Sequence, residues 1–201
     1  MTKKFTDQSA ICVATRIHGS VDMATTVFAE RVVAFVEAAA SYAGHVLLAV
    51  KVDMPRDECG NFSLYSVVKG IVENSVSADA RPKTIVVGVS EWSTFTPALN
   101  ALVRRALGLN ARYILFQSLE IVSGKSEAET LFSLHDENTL VVGALLQGHD
   151  FQPGKADIPI NGRTTPWNTL AMWNIEKLGR TGFPMVADGL LPRTDAGVEE
   201  V

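Results

Sequence analysis

The chain has 201 residues, 47% hydrophobic and 20% charged, with a formal net charge of −4 at pH 7. That balance suits one globular domain with a sizeable core and excludes a disordered chain. Scattered Lys and Arg in an acidic chain argue against a nucleic-acid binder, which needs a basic face, and no stretch reaches the roughly 18 to 20 apolar residues of a membrane span.

The apolar run after MTKKFTDQSA is too short for the core of a signal peptide. Cys12 and Cys59 form neither a disulfide framework nor a metal site by spacing. A cytoplasmic location is therefore expected, with Cys12 a small buried hydrophobe.

ICVAT (11–15) is the first predicted strand. Phe28, Val32, Phe35, Ala39 and Tyr42 then recur at helical spacing, with Gly44 as the expected C-cap. HVLLAVKV (45–52) is the second strand and runs into Asp53, in a turn rich in Pro, Gly and Asn. A helix over 64–76 and the strand KTIVVGV (83–89) follow. Next comes a helix over 97–107, with Thr96 as N-cap and Leu99, Leu102, Val103, Ala106 and Leu107 on one stripe. YILF (113–116) is the fourth strand, SEAETLFSLHD a short helix, and TLVVGALL (139–146) the fifth strand. The long irregular piece 148–167 is expected to be functional, because idle loops of that length are uncommon in compact domains. PWNTLAMWNIEKLG (166–179) reads as the last helix, with Trp173 in its apolar stripe and Trp167 open to either a core or a ligand role. Residues 195–201 read as an acidic, flexible tail, leaving 1–194 as a single domain.

Near-continuous Val, Ile and Leu strands alternating with helices predict a three-layer α/β/α fold with a mostly parallel, Rossmann-like sheet. In such a sheet the carboxyl ends of the strands line the ligand edge. There the sequence places Thr15 and Arg16, Asp53, Ser90 and Glu91, Ser118 and Glu120, then His149 and Asp150. Each has an ordinary reading as a polar strand end, and the set is more suggestive than its members. Dinucleotide and phosphate-loop glycine motifs, the GxSxG elbow and HExxH are all absent.

PALNALVRRALGLNARYILFQSLEI followed by KLGRTGFPMVADG resembles the GT-A (nucleotide-diphospho-sugar transferase) fold. The similarity is to the large inverting family that includes cellulose, chitin and hyaluronan synthases, in which an ALNA helix precedes a strand ending in DxD. It implies a glycosyltransferase-like protein that binds a nucleotide-sugar and transfers the sugar to a small-molecule or glycan hydroxyl with inversion. Thr15, Asp53 and Asn100 would contact the nucleotide-sugar, and Ser118 and Glu120 would occupy the two DxD positions. Glu120 would then hold Mg²⁺ or Mn²⁺, and Asp188 would be the catalytic base. The DxD is degenerate, offering one carboxylate instead of two, Ala187 replaces the glutamate of the ED pair, and no QxxRW segment follows. A processive synthase is therefore not expected, and a catalytically inactive nucleotide-binding or protein-interaction domain is the alternative. Arg104 or Arg105 on the ALNA helix, and Asn161, Arg163 and Thr164 before the last helix, could serve a phosphate or simply meet solvent.

Overall fold

The computed structural model describes residues 7–19, 25–52, 63–93, 95–155 and 157–184. Asp53, Cys59, Asp188 and the 195–201 tail lie outside the described residues. The chain runs through β1 (Ile11–Ile17), α1 (Thr26–Ala40), β2 (His45–Lys51), α2 (Leu64–Ser75) and β3 (Thr84–Val89). It continues with α3 (Thr96–Gly108), β4 (Tyr113–Gln117), α4 (Lys125–Ser133), β5 (Val141–Gly143), β6 (Leu170–Asn174) and α5 (Ile175–Leu178). The six strands form one mixed, mostly parallel sheet in the order β3-β2-β1-β4-β6-β5. β1, β2, β3 and β4 are mutually parallel, and β6 is antiparallel to both β4 and β5.

Alternate side chains of each central strand enter two different cores. Ile11, Val13 and Ile17 of β1 pack with Val32 and Phe35 of α1, Val68 of α2 and Leu131 of α4. Cys12 and Ala14 pack instead with Leu99, Leu102 and Val103 of α3 and with Leu178 of α5. This division explains the continuous apolar strands: both parities of β1, β2 and β4 are buried.

The helix starts follow their side chains. Thr25 Oγ1 accepts from the Phe28 N–H, and Ser63 Oγ from the Ser66 N–H, each satisfying one orphan donor of a first turn. At α3 the N-cap is Phe95 and not Thr96, which is the first helical residue and fully buried, with Pro97 beside it. Leu107, expected on the buried stripe, is 42% exposed. Gly44 does not cap α1, which ends at Ala40 with Ser41 as C-cap. A Cβ on Gly44 would stand 2.7 Å from the Ser9 backbone, so glycine is required there by close approach.

The largest departure is 166–179. Only Ile175–Leu178 is helical, and Leu170–Asn174 is a strand. Leu170 and Met172 enter one core while Ala171 and Trp173 enter the other, so Trp173 is buried as expected but from a strand. Leu, Ala and Met prefer helix by at most about 0.7 kcal/mol each. Burying one large apolar side chain is worth roughly 1.5–3 kcal/mol, so two-sided burial against β4 decides the conformation. The strand over 139–146 is correspondingly shorter than expected, at Val141–Gly143 on the sheet's edge. Backbone amides of residues 171–173 should exchange with solvent as slowly as those of β4 in hydrogen-exchange NMR; protection like that of an exposed helix end would contradict the β4–β6 pairing.

Candidate functional site

The strand order reverses around β1. From β1 the sheet extends through β2 to β3 on one side, and the chain then returns to place β4 on the other. In open α/β sheets the crevice outside the carboxyl ends at such a reversal is the usual ligand site. Here it holds a pocket of about 70 Å³ lined by Thr15, Arg16, Gln117, Ser118, Glu120 and Asn168, among others. β6 runs antiparallel to β4, so Asn168, just before β6, reaches the same edge.

Ala14 pairs with Phe116 across the β1–β4 ladder. The next residues along, Thr15 and Gln117, therefore stand side by side on the face shared with Val13 and Leu115. They are 2% and 4% exposed, and neither Thr15 Oγ1 nor Gln117 Oε1 has a hydrogen-bond partner. The Gln117 amide nitrogen is occupied, donating to the Ile121 carbonyl at 3.0 Å. What Gln117 leaves open is an acceptor. Arg16 points to the other face, its guanidinium carbon 4.6 Å from the centre of the Phe95 ring ahead of α3.

Beyond β4 the chain makes a tight turn. The Ser118 N–H donates to the Thr169 carbonyl at 3.0 Å, and the Ile121 N–H donates back to the Ser118 carbonyl at 3.1 Å. Ser118 is half-buried in this turn and Glu120 is exposed. Among the described residues no three His, Cys, Asp or Glu side chains gather as a metal group.

Asn100 does not line this pocket. Its amide clamps the backbone of Phe183 in both directions: Nδ2 donates to the carbonyl at 2.9 Å, and Oδ1 accepts from the N–H at 2.8 Å. The two stretches that carried the resemblance, ALNA and TGFP, thus meet each other directly. Gly182 supplies the approach, with φ of 64° and no room for a Cβ, which would fall 2.7 Å from Asn100 Oδ1. Arg104 and Arg105 lie on the exposed side of α3.

The long 148–167 piece forms its own assembly. His149 lies against Trp167 with ring centres 4.3 Å apart, and Trp167 Nε1 donates to the Gly162 carbonyl. Arg163 pairs with Asp150 at 2.8 Å, and Asn161 and Thr164 serve turn hydrogen bonds. Trp167, left open by the sequence, therefore holds this loop together. Burial pushes the His149 pKa below the ordinary imidazole range, against the opposing pull of Asp150.

Sequence reasoning passed over Gln117 as a polar strand end. Counting by two from Tyr113 through Leu115 would have placed it on a buried face. No protein-family model matches the chain, and no curated protein matches it either.

Three outcomes are expected. Thr15→Val, which replaces an unpartnered buried hydroxyl by a methyl, should stabilise the chain by about 1 kcal/mol in urea unfolding. Asn100→Ala should cost about 2 kcal/mol in the same assay, because it orphans both backbone groups of Phe183. For His149 the fold favours the neutral ring, so its contribution to stability is present above the unfolded pKa and lost as pH falls. Stability should decline from about pH 7 to 5, and His149→Phe should flatten part of that slope. His45, whose pKa burial also lowers, retains the remainder.

Proposed function

We propose that the chain is a GT-A-like domain, with three layers and a Rossmann-like sheet, that binds a nucleotide-sugar and transfers the sugar to a hydroxyl acceptor with inversion. One observation carries this reading: Thr15, Ser118 and Glu120, three of the positions the resemblance singles out, line a single pocket at the strand-order reversal. Asp53 and Asp188 belong to the same proposal and lie outside the described residues.

At about 70 Å³ the described crevice takes one polar group of such a ligand, a base edge or a phosphate, and not the whole molecule. Arg16, which lines the crevice, suits a phosphate. Glu120 and the Ser118 hydroxyl, which line the same crevice, would be the residues that hold a Mg²⁺ or Mn²⁺ ion. Such an ion, when bound, offsets the charge that develops on a departing diphosphate. The acceptor oxygen forms its bond to the anomeric carbon opposite the breaking bond to the diphosphate, and Asp188 takes the hydroxyl proton.

A second reading, nucleotide binding without transfer, draws on Ser118 standing where a first carboxylate is expected and on the exposure of Glu120. Calorimetry with a panel of nucleotide-sugars separates the two when paired with an assay for sugar transfer. Mn²⁺ should raise affinity about tenfold, and Glu120→Ala should remove that gain. Binding with no transfer to any acceptor would select the second reading. No binding of any nucleotide, with or without Mn²⁺, would overturn both.

A further inference from the structure

The two edges of the sheet are not alike. β5 ends it on one side with three residues, Val141–Gly143, and so short an edge offers little to pair with. β3 ends it on the other side with six, TIVVGV, rich in β-branched residues. Charges, prolines and bulges are the usual means of blocking an edge, and β3 contains none of them in its unbroken register with β2. Thr84 to Val87 are half-buried and Gly88 is exposed, whereas the central strands are buried along nearly their whole length.

The backbone of this edge is open. The Val89 carbonyl accepts from the Val52 N–H at 2.9 Å, so Val89, Val87 and Ile85 turn their backbone groups inward to β2. Thr84, Val86 and Gly88 turn theirs outward. The Thr84 N–H is used on the Arg81 carbonyl. Among the described residues, β2 is the strand that pairs with β3, and no other strand lies outside it.

The flanking charges identify the strand that fits. Arg81 and Lys83 precede β3, and Glu91 follows it. Arg81 and Lys83 donate to the Val76 and Ala40 carbonyls, and among the described residues no carboxylate pairs with either. Even with Asp79 just ahead in sequence, β3 starts net positive and ends negative. A parallel copy would set like charges together, whereas an antiparallel copy sets each basic end against Glu91 of the other. We propose that β3 is a dimer edge, pairing antiparallel with β3 of a second copy about a two-fold axis at Val86. Val86 then exchanges both backbone bonds with its counterpart, and the Gly88 N–H donates to the Thr84 carbonyl of the other copy. Each copy has one long free edge, so the pairing closes as a dimer and does not grow into a fibre. The proposal stands apart from the nucleotide-sugar reading, because β3 lies two strands from β1 and its crevice.

The test is sedimentation equilibrium of the full chain from micromolar to millimolar concentration, joined to hydrogen-exchange NMR. The mass should rise to twice that of the chain. The Val86 and Gly88 amides should gain protection as it does. Glu91→Lys, at an exposed position, should weaken the dimer about tenfold, because two symmetry-related attractions become repulsions. Val86→Pro removes an outward N–H that β2 does not use, and should leave a folded monomer. The proposal fails if the chain stays monomeric at millimolar concentration, or if a dimer forms while both amides still exchange freely. It also fails if Glu91→Lys, or a folded Val86→Pro, dimerises as the parent chain does.

Discussion

β1 is hydrogen-bonded along both edges to parallel neighbours that lie in opposite directions in the sheet, β2 on one side and β4 on the other. Every other feature of the site depends on that arrangement. It buries both faces of β1, so the strand is apolar until its carboxyl end. The helices that follow β1 and β4, α1 and α4, pack on the same face of the sheet, and a small crevice lies above the two strand ends. Thr15 and Gln117 are neighbours because each is the next residue past the last ladder pair, Ala14 and Phe116.

A buried polar atom without a partner works against folding, typically by about 1–3 kcal/mol. Thr15 Oγ1 and Gln117 Oε1, side by side at the ends of β1 and β4, carry that cost, as does Ser123 Oγ in the segment after β4. The turn itself is firmly held, by Ser118 to Thr169, by Ile121 to Ser118 and by the Gln117 side chain to Ile121. Gln117, Leu119 and Glu120 also line a second pocket, of about 350 Å³, between this turn and α1.

Much of the fold was legible because it rests on patterns a sequence displays. Continuous apolar runs marked β1 to β4, and helical spacing of apolar residues marked α1 and α3. The strand at Leu170–Asn174 was hidden because LAMW is written in helix-favouring residues, and its conformation is set by a partner, β4, more than fifty positions away. For the site, Thr15, Ser118 and Glu120 could be placed at one edge from strand ends alone. Asn100 could be singled out but its clamp on Phe183 could not, since that contact spans 83 positions. Gly182 carries its local trace: a glycine forced to positive φ where a side chain from another helix approaches.

The most direct test is a crystal structure of the full chain grown with a nucleoside diphosphate and Mn²⁺. The expected result is a nucleotide lying across the ends of β1 and β4, in contact with Arg16 and Ser118. A nucleotide bound elsewhere would contradict the assignment of the strand-order reversal as the binding site.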